Sequence, residues 1–253
     1  MIIGTGQVAV VTGAAQGLGR ALAAGLIDRG VSVVLADTAT ERLHTTAEAF
    51  TARGGRVLPV ITDVSDPVAV DALASRTLAH FSRVDMVVNN AGIATSGRQP
   101  LWQTDPQGWQ RVLGVNLCGV VHGIQSFVPH LVTADAGHVV NIASVAGLMA
   151  VPFRSAYCAS KHAVVAISET LRTELAAIKL PIGVTVACPA YVRTPLAEGM
   201  STRMTSTIME PEAAAERILA AVNTHRFYAL THGDVEDRVR RRAEGILAAL
   251  DDR

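Results

Sequence analysis

The 253-residue sequence predicts an α/β fold: a single domain built on a Rossmann-type doubly wound parallel sheet with helices on both faces. Two patterns lead there. Short runs rich in Val, Ile and Leu, apolar throughout rather than alternating, mark strands buried on both faces. They alternate with longer segments of helical period, and strand–helix alternation requires crossovers between parallel strands.

In chain order, Val8–Val11 reads as the first strand and Leu18–Arg29 as a helix that Gly30 stops. Val31–Ala36 is the second strand, and Glu41–Arg53 a helix closed by Gly54–Gly55. Arg56–Ile61, Met86–Asn89, His138–Ile142 and Gly183–Ala187 are further strands, with helices over 67–81, 107–130 and 156–178 between them. A last helix–strand pair covers 211–224 and 227–231, before a helical tail at 235–250. The Pro-, Gly- and charge-rich stretch 189–211 is expected as a loop inside the domain, and loops of that length are usually functional. With no linker and no internal repeat, one domain spans 1–253.

The 49% hydrophobic and 17% charged composition suits one large core and excludes disorder. A formal net charge of +0 lacks the basic excess that nucleic acid or an anionic membrane attracts, so neither is an expected partner. Cys118, Cys158 and Cys188 form no CxxC pair, and no Cys/His cluster has zinc-ligand spacing, so buried thiols and no metal site are expected. The N-terminus lacks a basic leader and no apolar run reaches about 18 residues, which points to a cytoplasmic protein without a membrane span.

Between the first strand and first helix lies TGAAQGLG, Thr12 to Gly19. A glycine-rich turn feeding a helix N-terminus presents unpaired N–H groups and the positive dipole end to an anion. Gly13 would permit the tight turn, Gly17 the approach of a pyrophosphate, and Gly19 close packing of the helix. The spacing is neither GxGxxG nor that of a P-loop. Asp37, 24 residues after Gly13, ends the second strand. Its carboxylate can accept hydrogen bonds from both adenosine ribose hydroxyls and would repel a 2′-phosphate, favouring NAD over NADP. Capping of the next helix is the alternative role. Arg20 and Arg42 are the nearest cations that could serve NADP.

Tyr157 and Lys161, four apart on a predicted helix, share one face. Ser144 follows the strand that ends at Ile142, so all three can converge at the carboxyl edge of the sheet, where open α/β sheets bind ligands. Oxidising an alcohol removes a hydride from carbon and a proton from oxygen. A phenol of pKa ~10 must fall by about 3 units, roughly 4 kcal/mol, to act as a base near neutrality. A neighbouring ammonium and a positively charged nicotinamide can supply that preference. A serine hydroxyl can meanwhile hold the substrate oxygen.

Taken together, TGAAQGLG at 12–19, Asp37, Asp63-Val64, NNAG at 89–92, Asn116, Ser144, YCASK at 157–161 and PAYVRT at 189–194 resemble the short-chain dehydrogenase/reductase family over nearly the whole chain. The resemblance implies an NAD-dependent oxidoreductase acting on a secondary alcohol or ketone. It places Ser144, Tyr157 and Lys161 in catalysis, with Lys161 also on the nicotinamide ribose, and Asn116 holding a proton-relay water through its backbone. It implies cofactor contacts from Thr12, Gly13, Gln16, Gly17, Leu18 and Gly19, then Asp63 and Val64 beside the adenine. Asn90, Ala91 and Gly92 would line the cofactor, and Pro189, Val192 and Thr194 would stand at the nicotinamide end. Asn89 is read as structural. One departure is Pro189-Ala190 where the family has Pro-Gly; alanine disfavours positive φ, so the entry to this loop is expected to differ.

The substrate walls are expected from 145–153 and 190–210, through Leu148, Met149, Val151, Phe153, Tyr191, Leu196, Met200, Met204 and Met209. They suit a bulky, mostly apolar compound, and no basic cluster stands ready for a phosphate or coenzyme A. Arg238, Arg240, Arg241 and Arg242 read as a solvated face balanced by Asp234, Glu236, Asp237 and Glu244. The helices at 107–130 and 156–178 carry surplus apolar residues, including Val112, Val115, Val120, Ile124, Val164, Val165 and Ile167. With the family's habit of pairing through these helices, they imply a homodimer or homotetramer. Two alternatives stay open: an NADP-linked carbonyl reductase, and a non-catalytic dinucleotide-sensing protein, which would not need Ser144, Tyr157 and Lys161 together.

Overall fold

The computed structural model describes residues 1–94, 97, 99–197, 208–233 and 235–251; Met200, Met204 and Asp234, named above, lie outside them. Among the described residues the apolar runs become β1 (Val8–Thr12), β2 (Ser32–Asp37), β3 (Val57–Ile61), β4 (Met86–Asn89), β5 (Gly137–Ile142), β6 (Ile182–Cys188) and β7 (Tyr228–Leu230). They pair in parallel in the order β3-β2-β1-β4-β5-β6-β7. The order reverses between β1 and β4, and the crevice this opens at the carboxyl edge is where such sheets hold ligands.

Side chains along each strand alternate between two cores. On β2, Val33 and Leu35 join Leu22 and Leu26 of α1 (Gly17–Ile27), Leu43 and Phe50 of α2 (Thr40–Ala52), and Ile218 and Leu219 of a helix at Pro211–Asn223. Val34 and Ala36 face the other way. They join Leu73 of α3 (Pro67–Phe81) and, beyond the strands between, Phe127, Leu131, Val164 and Leu171. Both faces of the sheet are therefore covered, which is why the strands read as continuous apolar runs.

The segment expected as one helix over 107–130 is more complex. It comprises α4 (Pro106–Leu113), a π-helical turn at Gly114–Cys118, and α5 (Gly119–Thr133). Asp105 starts α4 by accepting from the Gln107 and Gly108 amides at 3.1 and 2.9 Å. The wide turn carries fully buried Asn116 against Ile93. Gly119 closes it where a Cβ would come within 2.7 Å of Val64. The run Pro106–Thr133 is long and apolar enough, by length and composition, to cross a membrane. In this fold it covers the sheet with Val112, Val120, Phe127 and Leu131 buried.

After β5 come α6 (Ser155–Ala177), β6, α7 (Pro211–Asn223), β7 and α8 (Glu236–Asp251). Asn89 Nδ2 donates to Asn141 Oδ1 at 2.8 Å, and Asn141 Nδ2 donates to Ser168 Oγ at 2.9 Å. This buried polar chain ties β4 to β5 and β5 to α6, the three elements that carry the candidate site, and gives Asn89 its structural role.

Candidate active site

The glycine turn sits at the crevice. Gly13 (φ +66°) and Gly17 (φ +56°) occupy the left-handed region, which glycine adopts without a Cβ penalty. A Cβ on Gly19 would stand 2.1 Å from the Gly13 carbonyl and 2.4 Å from Asn90 Nδ2, so Gly19 lets α1 close on the turn itself. Asn90 Nδ2 donates to the Thr12 carbonyl at 2.8 Å, and the Asn90 and Ala91 amides donate to Thr12 Oγ1 at 2.9 and 3.0 Å. These bonds fasten the ends of β1 and β4 together as the floor of the crevice.

Asp37 does not cap α2, whose N-cap is Ala39 without a side-chain bond. Its two oxygens accept from the Ala15 and Ala39 amides, both at 3.0 Å. A carboxylate has about four lone-pair sites, so capacity for hydroxyl donors remains. Asp63 Oδ1 accepts from the Ser65 amide at 2.9 Å and hydroxyl at 2.7 Å, a loop-capping role, while Asp63 and Val64 both line the cavity. Arg42 bonds Gln16 Oε1 at the mouth of this end. Arg20 instead lies over the Phe50 ring, 5.8 Å from its centroid.

At the other end, Lys161 is 3% exposed and donates Nζ–H to the Ile142 carbonyl at 2.7 Å. Burial pushes its amine down to about 8. Nζ stands 5.7 Å from the Tyr157 ring centroid. Burial pushes the Tyr157 phenol up, while a hydrogen bond with Ser144 and the nearby Arg154 pull the other way. Ser144 caps a short turn, Val145–Gly147, by accepting from the Ala146 amide at 3.2 Å; its hydroxyl donates to the Pro189 carbonyl, also at 3.2 Å. Asn116 exchanges two bonds with the Ile93 backbone, at 2.8 and 2.9 Å, and donates to Ser160 Oγ at 3.1 Å. Ser160 donates on to the Tyr157 carbonyl at 2.8 Å. The side chain of Asn116 is thus an internal brace between the segment after β4 and α6.

The departure at Ala190 is absorbed without strain. Ala190 is not among the positive-φ residues, and its amide donates to His232 Nδ1 at 3.3 Å. His232 Nε2 bonds the Tyr191 carbonyl at 3.2 Å, so one buried imidazole after β7 holds both peptides of the loop entry. Val192 bridges to Met209, Arg193 pairs with Glu210 at 2.7 Å, and Thr194 packs where a Cβ on Gly17 would come within 3.0 Å. The ends of the 190–210 stretch are therefore tied at a neck beside the glycine turn.

One cavity of about 510 Å³ joins these parts. It runs from Asp37 and Asp63 past Gly13, Gln16, Gly17, Leu18 and Gly19 and along Asn90, Ala91 and Gly92. It ends among Ser144, Tyr157, Lys161, Pro189, Val192 and Thr194. Hydroxyl acceptors at one end, an amide-rich helix N-terminus in the middle and an apolar far end fit a dinucleotide. Met149, Val151, Tyr191 and Leu196 wall the cavity as expected. Leu148 packs into the core instead, Met209 is drawn into the strand bridge, and Phe153 stands exposed. Arg154, which lines the cavity, and the positioning residues Ser160 and His232 escaped the sequence reading. Only Ser160, inside YCASK, had a motif to mark it.

The depressed Lys161 amine makes a stability prediction. Below about pH 8 the amine is charged in both folded and unfolded states, and the burial cost is fully present. Between there and its unfolded value of 10.5 the folded state has lost the proton that the unfolded state keeps, so this group adds stability as pH rises. Lys161→Met should lack that increment. Identical pH dependence of the wild-type and variant Tm would contradict it.

Comparison with known proteins agrees with this geometry. The short chain dehydrogenase family model matches residues 7–205. The chain is 35% identical over 237 residues to the 1-deoxy-11-beta-hydroxypentalenate dehydrogenase of Streptomyces avermitilis, covering 91% of this chain and 86% of that one. It is 30% identical over 266 residues to the CLA biosynthesis dehydrogenase/reductase of Lactiplantibacillus plantarum, covering 93% and 92%. A short-chain dehydrogenase/reductase from Burkholderia phymatum, solved in complex with NAD, superposes with a TM-score of 0.92 at 36% identity over 98% of this chain and 97% of that one. The seven-stranded sheet, the crevice and these likenesses place the chain in the short-chain dehydrogenase family.

Proposed function

We propose that this oxidoreductase transfers a hydride between NAD and a secondary alcohol or ketone of bulky, apolar body, with Tyr157 as general acid and base. The convergence of Ser144, Tyr157 and Lys161 in the cavity that also holds the glycine turn and Asp37 carries the reading. Both named relatives bear dehydrogenase titles, and one solved neighbour binds NAD.

When bound, the nicotinamide supplies the hydride acceptor for oxidation and the donor for reduction. The chain's own groups handle position and proton. The Ser144 hydroxyl holds the substrate oxygen, and the Tyr157 phenolate takes its proton as the carbinol hydride departs. Burial alone works against a phenolate. Against it stand the Ser144 hydrogen bond and the nearby Arg154, joined in this proposal by Lys161, which with its value of about 8 is mostly an ammonium at neutral pH. The same value lets Lys161 pass a proton on. With the Asn116 side chain committed to Ile93 and Ser160, a relay water would be held by its backbone and not by its side chain.

Asp37 favours NAD by repelling a 2′-phosphate, and Arg42, held at Gln16, is the feature that favours the NADP-linked alternative. The carboxylate at the strand end supports the NAD reading, since it is fixed by two backbone amides, whereas Arg42 is an exposed side chain. Val115, Ile124 and Ile167 remain partly exposed on α5, α6 and the turn before α5, and support a homodimer or homotetramer through these helices. A monomeric mass by light scattering would refute that assembly.

Tyr157→Phe should lower kcat by about 10²–10⁴ while leaving the NAD dissociation constant nearly unchanged. Parent-like turnover would remove Tyr157 from the chemistry. The wild type should bind NAD more tightly than NADP, and Asp37→Ala should narrow the difference. Tighter NADP binding by the wild type would reverse the role given to Asp37.

A further inference from the structure

A second groove, of about 440 Å³, lies where α8 meets the start of α6, lined by Met149, Ala150, His162, Arg238, Arg241 and Arg242. Spacings of three and four residues put Arg238, Arg241 and Arg242 on one face of α8. Among the described residues the acidic neighbours make no ion pair with that face. Arg240 pairs with Glu236 at 2.6 Å, but among the described residues no carboxylate lies within 4 Å of the other three guanidinium groups. Arg241 donates instead to the Asp237 carbonyl at 3.2 Å. Across the groove, His162 Nδ1 donates to the Cys158 carbonyl at 2.9 Å, which leaves Nε2 as its remaining nitrogen. Three like charges on adjacent turns repel one another, and an anion shared between them removes the repulsion. Guanidinium forks also match the geometry of carboxylate and phosphate oxygens.

The groove borders the chemistry. Met149 walls both the groove and the cavity that contains Tyr157. Val235, just before α8, packs with Val145, Met149 and Ala190, which seats α8 on the segment following Ser144. Met149, 5% exposed, is the side chain the cavity and the groove share, so a molecule with its carbinol at Ser144 and Tyr157 would have to displace it to reach the arginines.

We propose that the groove between α6 and α8 binds an anionic group of the substrate, a carboxylate or phosphate separated from the reacting carbon by an apolar body. This deepens the dehydrogenase reading and rests on it. It departs from the expectation of a solvated, charge-balanced face: among the described residues only Arg240 of these four arginines has a carboxylate within 4 Å.

The test uses secondary alcohols of one apolar body ending in methyl, carboxylate or phosphate, with wild type, Arg241→Gln and the Arg241→Gln/Arg242→Gln double variant. In the wild type, kcat/KM for one anionic alcohol should exceed that of the methyl compound by about tenfold or more, through KM, and the ratio should fall about tenfold in the double variant. The preference should also shrink with added salt, since Arg241 and Arg242 are exposed. The favoured terminus tells carboxylate from phosphate. A wild-type ratio near unity, or one the double variant leaves unmoved, overturns the proposal. Inorganic phosphate should compete with the anionic alcohol, and non-competitive binding would overturn the assignment to substrate. If no alcohol is turned over, the reading of the reaction fails by itself. Calorimetric titration with inorganic phosphate then reads the groove directly: binding lost in the double variant supports the anion site, and no binding by the wild type overturns it.

Discussion

A lysine amine buried beneath a tyrosine ring fixes where the rest of the site stands. Lys161 reaches across from α6 to the last carbonyl of β5, so the helix cannot slide along the sheet without leaving that ammonium unpaired in the interior. Ser144 follows that strand by two residues and Tyr157 precedes Lys161 by one helical turn, so the single contact sets both. Gly147 completes the fit: a Cβ there would stand 2.5 Å from the Lys161 carbonyl, so only glycine lets the segment after Ser144 lie flat on α6. The cost of burying the charge is visible in the depressed amine, and a chain selected for stability alone would place an apolar side chain there.

Around that contact, the two ends of the cavity are built differently. The end lined by Asp37 and Asp63 uses backbone geometry: left-handed glycines, a helix N-terminus, and carboxylates steered by amides. The end lined by Ser144 and Tyr157 uses long-range ties between side chain and backbone, such as His232 on Ala190 and Tyr191 and Asn116 on Ile93. The first kind draws mostly on neighbours in sequence, apart from the Ala15 amide that reaches Asp37 from 22 residues away. The second brings together residues far apart in the chain and depends on the sheet having formed. α8 extends the same logic, since Val235, just before it, packs on Val145 and Met149 after Ser144.

This division explains what could be read before the structure. The strands and the glycine turn declare themselves through local pattern, apolar runs and glycine spacing, whereas the Ser144–Tyr157–Lys161 grouping stands out through the family resemblance, since an i,i+4 Tyr–Lys pair alone also reads as a surface pair. The π-helical turn at Gly114–Cys118 leaves no mark in apolar periodicity, because the residues around it keep a helical pattern on both sides. Apolar residues in loops do not announce which way they face, so Leu148 and Met209 were assigned to the cavity wall although the core and the strand bridge take them. Ala190 looked like a disturbance because a missing glycine is visible in sequence, whereas the imidazole that accommodates it lies 42 residues away.

The ionisation of Tyr157 in the presence of NAD tests the central claim most directly, read from phenolate ultraviolet absorbance as the difference between wild type and Tyr157→Phe across a pH series. With NAD bound, the difference should show a single phenol ionising near pH ~7, and the same titration in a Lys161→Met background should move back toward ~10 or above. A Tyr157 that ionises at the same high pH with or without Lys161 would contradict the coupling between ammonium and phenol.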